Sequence, residues 1–290
     1  MDNRGGSTDP HEILTRPAPP PDLVLSYGPG QDHVADLRLP ASGNRIGPSR
    51  LTAAPLVLLL HGGFWRAAFD RAHAGPLASA LAQAGYSVCV PEYRRTGQAG
   101  GGWPGTFDDV AAAVDALPGI AAEAAAGRVD PAAVLLAGHS AGGHLALWAA
   151  ARNLIPPGMP WRSEPPHARG VVALAAVSNL AACDEQGLGR GAAALLMGGG
   201  RNRHPGRYAL ADPARLLPLS VPVRLVHGEL DDVVPCGMSL DYAARAARAG
   251  GDVVCDALPG CGHFEVIDPL SGAWPRVLAA FRALIAPPGL

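Results

Sequence analysis

The sequence predicts an α/β fold, a mostly parallel, twisted sheet with helices on both faces. Three observations carry this reading. Short apolar runs ending in Gly-rich turns alternate along the chain with longer stretches of helical pattern, and strands alternating with helices imply a parallel sheet. Some of those runs are continuously apolar, as in residues 55–60 (PLVLLL), which marks a strand covered on both sides. The composition, 48% hydrophobic and 17% charged over 290 residues, supplies one large core and excludes a mainly disordered chain.

The elements follow in order. Residues 1–21 are polar, then Pro-rich, and are expected to form an unstructured arm, because so few apolar groups do not offset the entropy of ordering. Residues 22–290 are expected to form a single domain, and no internal repeat interrupts them. Residues 22–27 and 33–39 alternate apolar and polar side chains, as two antiparallel edge strands do. Next come a buried strand over 55–60, a helix over 76–84 stopped by Gly85, and a strand over 86–90. A helix over 106–117 begins with Thr106 as its cap and has Asp108 and Asp109 in its first turn. Strands follow at 132–137, 170–177, 222–227 and 252–257, with helices at 141–151, 238–249 and 273–285. Residues 178–220 are irregular and rich in Gly and Arg. They read as a loop or small helical excursion over the sheet edge, either a partial lid or a surface loop without a role.

Several function classes are excluded. The formal net charge is −2 and no basic stripe is present, so nucleic acid is not an expected partner. The apolar stretch over 53–60 is far too short to span a bilayer, so no membrane is expected. The N-terminus lacks a basic segment followed by an apolar one, and the five cysteines are scattered without CxxC spacing. Together these predict reduced thiols and a cytoplasmic location. There is no HExxH, the histidines are not spaced as ligand pairs, and the Gly run at 198–200 lacks the Lys of a phosphate loop. No metal or cofactor is therefore expected.

Four motifs carry chemistry. The first is Gly138-His139-Ser140-Ala141-Gly142, set between an apolar strand and a helical run. A sharp strand-to-helix turn there lifts a serine above the sheet, and small neighbours relieve the crowding. Ser140 is the candidate nucleophile. The second is His61-Gly62-Gly63-Phe64-Trp65, directly after the buried strand. Acyl transfer needs N–H donors aimed at a developing oxyanion. The N–H groups of Gly63, Phe64 and Ala141 are the candidates, with Gly62 as the neighbouring alternative. His61 reads as a brace for this loop, and Trp65 either lines a substrate pocket or packs. The third motif, residues 227–235, holds Asp231 and Asp232. A carboxylate there would orient a catalytic imidazole. The fourth is Gly260-Cys261-Gly262-His263-Phe264. Of ten histidines, His263 alone follows both the serine and the acidic pair, and it is the candidate base.

With these motifs in hand, the chain resembles the α/β-hydrolase superfamily over roughly residues 22–286, whose order of Ser, Asp and His it shares. Within the superfamily it looks most like the kynurenine formamidase (arylformamidase) and small-carboxylesterase branch. That likeness rests on His61-Gly62-Gly63-Phe64-Trp65, on residues 138–146 (GHSAGGHLA) and on His263-Phe264. The resemblance favours Asp231 over Asp232 as the acid and implies Phe264 and Trp65 beside the substrate. Residues 91–95 (PEYRR) look like the Tyr-Arg element of lipase-like hydrolases, which implies a structural Arg94 paired with Asp108 or Asp109. Gly143 stands where many arylformamidases carry Ala, and feruloyl and acetyl esterases share the same motifs. The expected function is hydrolysis of a small-molecule ester or aryl amide through a Ser140–His263–Asp231 triad and an acyl-enzyme, with N-formylkynurenine as the named amide. The alternatives are a general carboxylesterase on short acyl esters and, in another class, a non-catalytic ligand-binding protein of this fold.

Overall fold

The computed structural model describes residues 9–41, 53–163 and 168–285. The strands are β1 (Leu23–Ser26), β2 (Val34–Arg38), β3 (Ala54–Leu60), β4 (Ser87–Pro91), β5 (Val129–His139), β6 (Gly170–Leu174), β7 (Val223–Gly228) and β8 (Val253–Leu258). They form one sheet in the order β1-β2-β4-β3-β5-β6-β7-β8. The strand β2 runs antiparallel to both β1 and β4, and the pairs from β3 onward are parallel. The predicted α/β class and the antiparallel edge are both present.

The continuous apolar runs explain why two cores form. In a strand, successive side chains point to opposite faces. Leu56, Leu58 and Leu60 of β3 therefore enter one core, and Val57 and Leu59 enter the other. Each such side chain contributes about 1.5–3 kcal/mol by leaving water. The helices α2 (Gly105–Ala124), α3 (Ala141–Ala150) and α7 (Gly237–Arg248) cover the first face. On the second lie α1 (Gly75–Gln83) and α8 (Trp274–Ile285).

Some expectations need correction. The helix predicted over 106–117 runs on to Ala124 with Pro118 inside it. A proline costs a helix about 3 kcal/mol, but Leu117, Pro118 and Ala121 continue its buried face, so packing outweighs propensity. Thr106 lies within the helix instead of capping it. Its Oγ1 donates to the Arg94 carbonyl (2.6 Å) and accepts from Gly102 N–H (3.1 Å). Arg94 pairs with Asp109, not Asp108, whose carboxylate accepts from Trp161 Nε1 (2.7 Å) instead.

The expected arm is also ordered from residue 9 onward, its earlier part lying outside the described residues. A short 3-10 helix, Pro10–Leu14, places Ile13 in the second core at 1% exposure, and Arg16 forms a two-pronged ion pair with Asp268. Leu14 packs against the same core as Ile13, Arg38 Nη2 donates to the Pro19 carbonyl (3.0 Å), and the prolines leave the segment little entropy to lose on docking.

The irregular stretch 178–220 contains three helices, α4 (Leu180–Glu185), α5 (Leu188–Met197) and α6 (Pro205–Ala211). Before α5 straightens, Gly187, Gly189, Arg190 and Gly191 all adopt left-handed backbone angles. This turn rests on Phe64, whose ring would be struck by a Cβ at Gly189 (2.6 Å), and Arg66 Nη2 donates to the Gly189 carbonyl. The excursion thus lies against the loop that follows β3.

Candidate active site

The four motifs meet at the C-terminal ends of the central parallel strands, where open α/β sheets place ligands. Ser140 sits between β5 and α3 with φ 55° and ψ −117°. A non-glycine residue held there carries about 1–3 kcal/mol of strain. The surroundings hold it in place. Ser140 N–H donates to the Leu174 carbonyl (2.9 Å), and its own carbonyl accepts from Val177 N–H (3.1 Å). The turn tolerates no bulk, since a Cβ at Gly142 would lie 2.0 Å from the Leu60 carbonyl oxygen. Ser140 is 3% exposed.

The loop after β3 presses against this elbow. A Cβ at Gly62 would meet the His139 carbonyl at 3.0 Å and Ser140 Cβ at 3.4 Å. Beyond it Gly63, Phe64 and Trp65 all have positive φ. This turn leaves the N–H groups of Gly62, Gly63 and Phe64, and that of Ala141 across from them, without acceptors among the described residues. The expected oxyanion donors are therefore unspent and lie beside the elbow.

A buried carboxylate fixes that loop from behind. His61 Nε2 donates to Glu92 Oε1 (2.8 Å), and its Nδ1 lies 3.0 Å from the Gly62 carbonyl. Tyr93 stacks on the His61 ring at 4.3 Å, and its hydroxyl donates to the His61 carbonyl (2.7 Å). Glu92 also accepts from Arg71 N–H (3.0 Å) and Tyr93 N–H (3.1 Å) and faces Arg95 Nη1 (3.1 Å). Burial alone would raise the Glu92 carboxyl, but the bonds from His61 and Arg71 and the Arg95 charge outweigh it and hold it below its ordinary value. The sequence assigned His61 a bracing place and missed Glu92, whose only signal was its position next to the Tyr-Arg element.

Across the elbow, His263 Nδ1 donates to Asp231 Oδ2 at 2.6 Å. The acid in contact is Asp231, not Asp232. Its other oxygen accepts from Val233 N–H (2.9 Å) and Val234 N–H (2.7 Å). A second imidazole, His227 Nε2, reaches Asp231 Oδ2 at 3.0 Å. Burial would raise this carboxyl, but hydrogen bonds from His227, His263 and Val234 N–H hold it well below the carboxylate range. His139 ties the elbow to the base, since its Nε2 donates to the His263 carbonyl (3.0 Å) and the two rings lie 4.6 Å apart. Burial and the neighbouring His263 push His139 well below the ordinary histidine value and keep it neutral. Ser140 Oγ and His263 Nε2 form no hydrogen bond among the described residues, which leaves both open to a bound reactant.

One expected substrate contact falls elsewhere. Trp65 is 0% exposed and packs edge-on against His144 at 5.2 Å, so in this structure it belongs to the core and lines no open pocket. The positive φ at Phe64 and Trp65 turns the indole inward. Phe264 stands edge-on to His263 at 5.0 Å and tilted to His11 at 4.9 Å, half-buried beside the imidazole. A cleft of about 490 Å³ beneath the excursion, lined by Asn179, Glu185, Arg201, Asp212 and Arg245, contains none of Ser140, Asp231 or His263. Its walls are charged, with Arg201 paired to Glu185. Among the described residues no group of three or more His, Cys, Asp or Glu side chains is arranged to hold a metal, all five cysteines are free, and no helix is long and apolar enough to cross a membrane.

Comparison with known proteins gives the family and the fold. The BD-FAE family model matches residues 46–245, and the chain belongs to that family. The matched span holds Gly63, Ser140 and Asp231 and ends before His263. No curated protein matches the chain. A truncated carbohydrate esterase from gut microbiota superposes with a TM-score of 0.75 at 22% identity, covering 92% of this chain and 98% of that one. Esterase B of Lactobacillus rhamnosis gives 0.75 at 19% identity, covering 95% and 89%. Esterase 2 of Thermogutta terrifontis gives 0.69 at 20% identity, covering 96% and 99%. These likenesses establish the α/β-hydrolase fold.

Proposed function

We propose that this protein is a serine carboxylesterase that hydrolyses small esters through an acyl-enzyme. The observation that carries the reading is the Asp231–His263 hydrogen bond of 2.6 Å beside a strained serine elbow. Ser140 Oγ attacks the carbonyl carbon while His263 Nε2 takes its proton. Asp231 holds the imidazole with its proton on Nδ1 and stabilises the cation that forms. The N–H groups of Gly63, Phe64 and Ala141 bind the oxyanion. His263 then returns the proton to the departing alcohol, and water, deprotonated by the same imidazole, cleaves the acyl-enzyme. The structural neighbours, which are esterases, support an ester over an amide as the substrate.

A second reading, deformylation of an aryl formamide such as N-formylkynurenine, rests on the HGGFW, GHSAGGHLA and HF sequences. One observation weighs against it. A Cβ at Gly143, where many arylformamidases carry Ala, would lie 2.6 Å from Ala176 Cβ, so the closer sequence pattern does not fit this elbow without a shift of the β6 end.

The test compares the wild type with Ser140→Ala on p-nitrophenyl acetate and N-formylkynurenine. Serine-dependent turnover of the acetate with little deformylation is expected, and the variant should lose about 10⁴-fold or more in kcat. Efficient deformylation would replace the ester by the formamide. Failure of a fluorophosphonate to label Ser140 in folded protein would overturn the enzyme reading.

A further inference from the structure

The acid of the triad is shared. His227 ends β7 at 0% exposure, four residues before Asp231. Its Nε2 faces two acceptors, Asp231 Oδ2 at 3.0 Å and the Val234 carbonyl at 2.9 Å. Neither can donate, so Nε2 carries a proton. Its Nδ1 lies 2.7 Å from Ser239 Oγ on the first turn of α7, a hydroxyl that is itself 0% exposed. A hydroxyl both donates and accepts, so it is free to give its hydrogen to Nδ1 and fix the neutral tautomer. Buried chains of this kind are strong when every member is satisfied. From one end to the other the groups run Ser239, His227, Asp231, His263, with the Ser140 elbow beyond. A serine and an imidazole thus stand on each side of a single carboxylate.

We propose that His227, locked by Ser239 with its proton on Nε2, is a positioning residue that divides the charge of Asp231 between two imidazoles and holds the carboxylate on His263. This rests on the triad assigned above. The second bond has a consequence beyond packing. Asp231 Oδ2 accepts from both rings, so the charge reaching His263 is less than a lone carboxylate would deliver. Removing the His227 donor leaves the whole charge facing His263, favours its cationic form and moves the acid limb of kcat/KM to higher pH. The other titratable groups around the pair are His139 on the elbow, Cys236 and Glu229 on the loop between β7 and α7, and Cys261 and Glu265 on the His263 loop. His139 is held neutral by burial, and Cys236, Glu229, Cys261 and Glu265 are unchanged by the substitutions below.

The direct test is ¹⁵N NMR of histidine-labelled wild-type protein. The proposal requires a neutral His227 ring with the proton on Nε2 at neutral pH. A proton on Nδ1, alone or with Nε2, overturns it. The functional test is the pH profile of p-nitrophenyl acetate hydrolysis by wild type, Ser239→Ala and His227→Leu. In His227→Leu the acid limb is expected to rise by about half to one pH unit, with kcat reduced about tenfold and KM nearly unchanged. Ser239→Ala, the milder change, is expected to give a smaller shift in the same direction and to move the downfield His263 Nδ1–H resonance. An unmoved limb and resonance in folded Ser239→Ala would leave His227 a packing residue and overturn the proposal, even if His227→Leu does not fold. A wild type that fluorophosphonate does not label fails the esterase reading itself, whereas a labelled wild type with unmoved variants fails only this inference.

Discussion

Two buried imidazole–carboxylate pairs flank Ser140, and they are built differently. On the oxyanion side His61 meets Glu92 at 2.8 Å, and on the other His263 meets Asp231 at 2.6 Å. Exposure does not separate them, at 1% and 4% for the two histidines. Their second nitrogens do. His61 Nδ1 is turned back on the Gly62 carbonyl, and Tyr93 covers the ring face. Nε2 of His263 has no partner among the described residues. An imidazole with both nitrogens engaged is a brace, and one with a free nitrogen can serve as a base. The charged surroundings differ as well. Glu92 is bound by Arg71 and Arg95, whereas Asp231 is held by two imidazoles and backbone N–H groups and by no arginine among the described residues.

The largest effect that could break this comparison is at the imidazoles. His263→Gln is expected to lower kcat about 10⁴-fold, and His61→Gln about tenfold, each measured on p-nitrophenyl acetate with folding checked by circular dichroism. Equal losses would erase the distinction between base and brace. Next come the carboxylates. Asp231→Asn should cost about 10³–10⁴-fold in kcat, while Asp232→Asn should stay within about twofold of wild type. A worse lesion at Asp232 would move the acid.

Glu92 should show itself in stability more than in rate. Glu92→Gln leaves Arg95 without its buried counter-charge and His61 Nε2 without its carboxylate acceptor, at a cost of about 3–5 kcal/mol, read as a lower denaturation midpoint in urea. The pH dependence sharpens the point. Glu92 titrates below its ordinary value in the folded protein, so its contribution is fully present above the unfolded glutamate pKa of about 4.3 and is lost as pH falls through the lower folded value. Wild type should therefore lose stability in acid more steeply than Glu92→Gln, and parallel pH curves would show that the network gains nothing from the charge. The smallest expected effect is at the elbow helix. Gly143→Ala overpacks against Ala176 and should cost about 1–3 kcal/mol without changing the pH profile. A neutral outcome would show that β6 yields and would reopen the formamidase reading.

The α/β class, the antiparallel edge and the places of the parallel strands along the chain were legible because the apolar runs of 55–60 and 132–137 are unbroken and that of 222–227 holds only Arg224 and His227 as polar residues; the order of the strands in the sheet was not. Helix ends were less so. Pro118 and Thr106 follow local rules that tertiary packing overrode, and the excursion hid three helices behind glycines with left-handed angles. Ser140 and His263 stood out through their Gly-rich flanks, which are local requirements of tight turns. The choice between Asp231 and Asp232 had no local signal of its own; in the structure it is Asp231 that meets the His263 ring.

By itself, then, the sequence determined the sheet, the serine elbow and the candidate base, because each depends on short-range periodicity or on backbone crowding within a few residues. Only the tertiary structure decided that Trp65 turns into the core, that Glu92 anchors the loop after β3 and that His227 shares Asp231. Those outcomes depend on hydrogen bonds and ring contacts whose partners are fixed by the packing of strands and loops around the elbow. Buried polar groups must find partners wherever the chain brings them, and one-dimensional spacing does not say where that is.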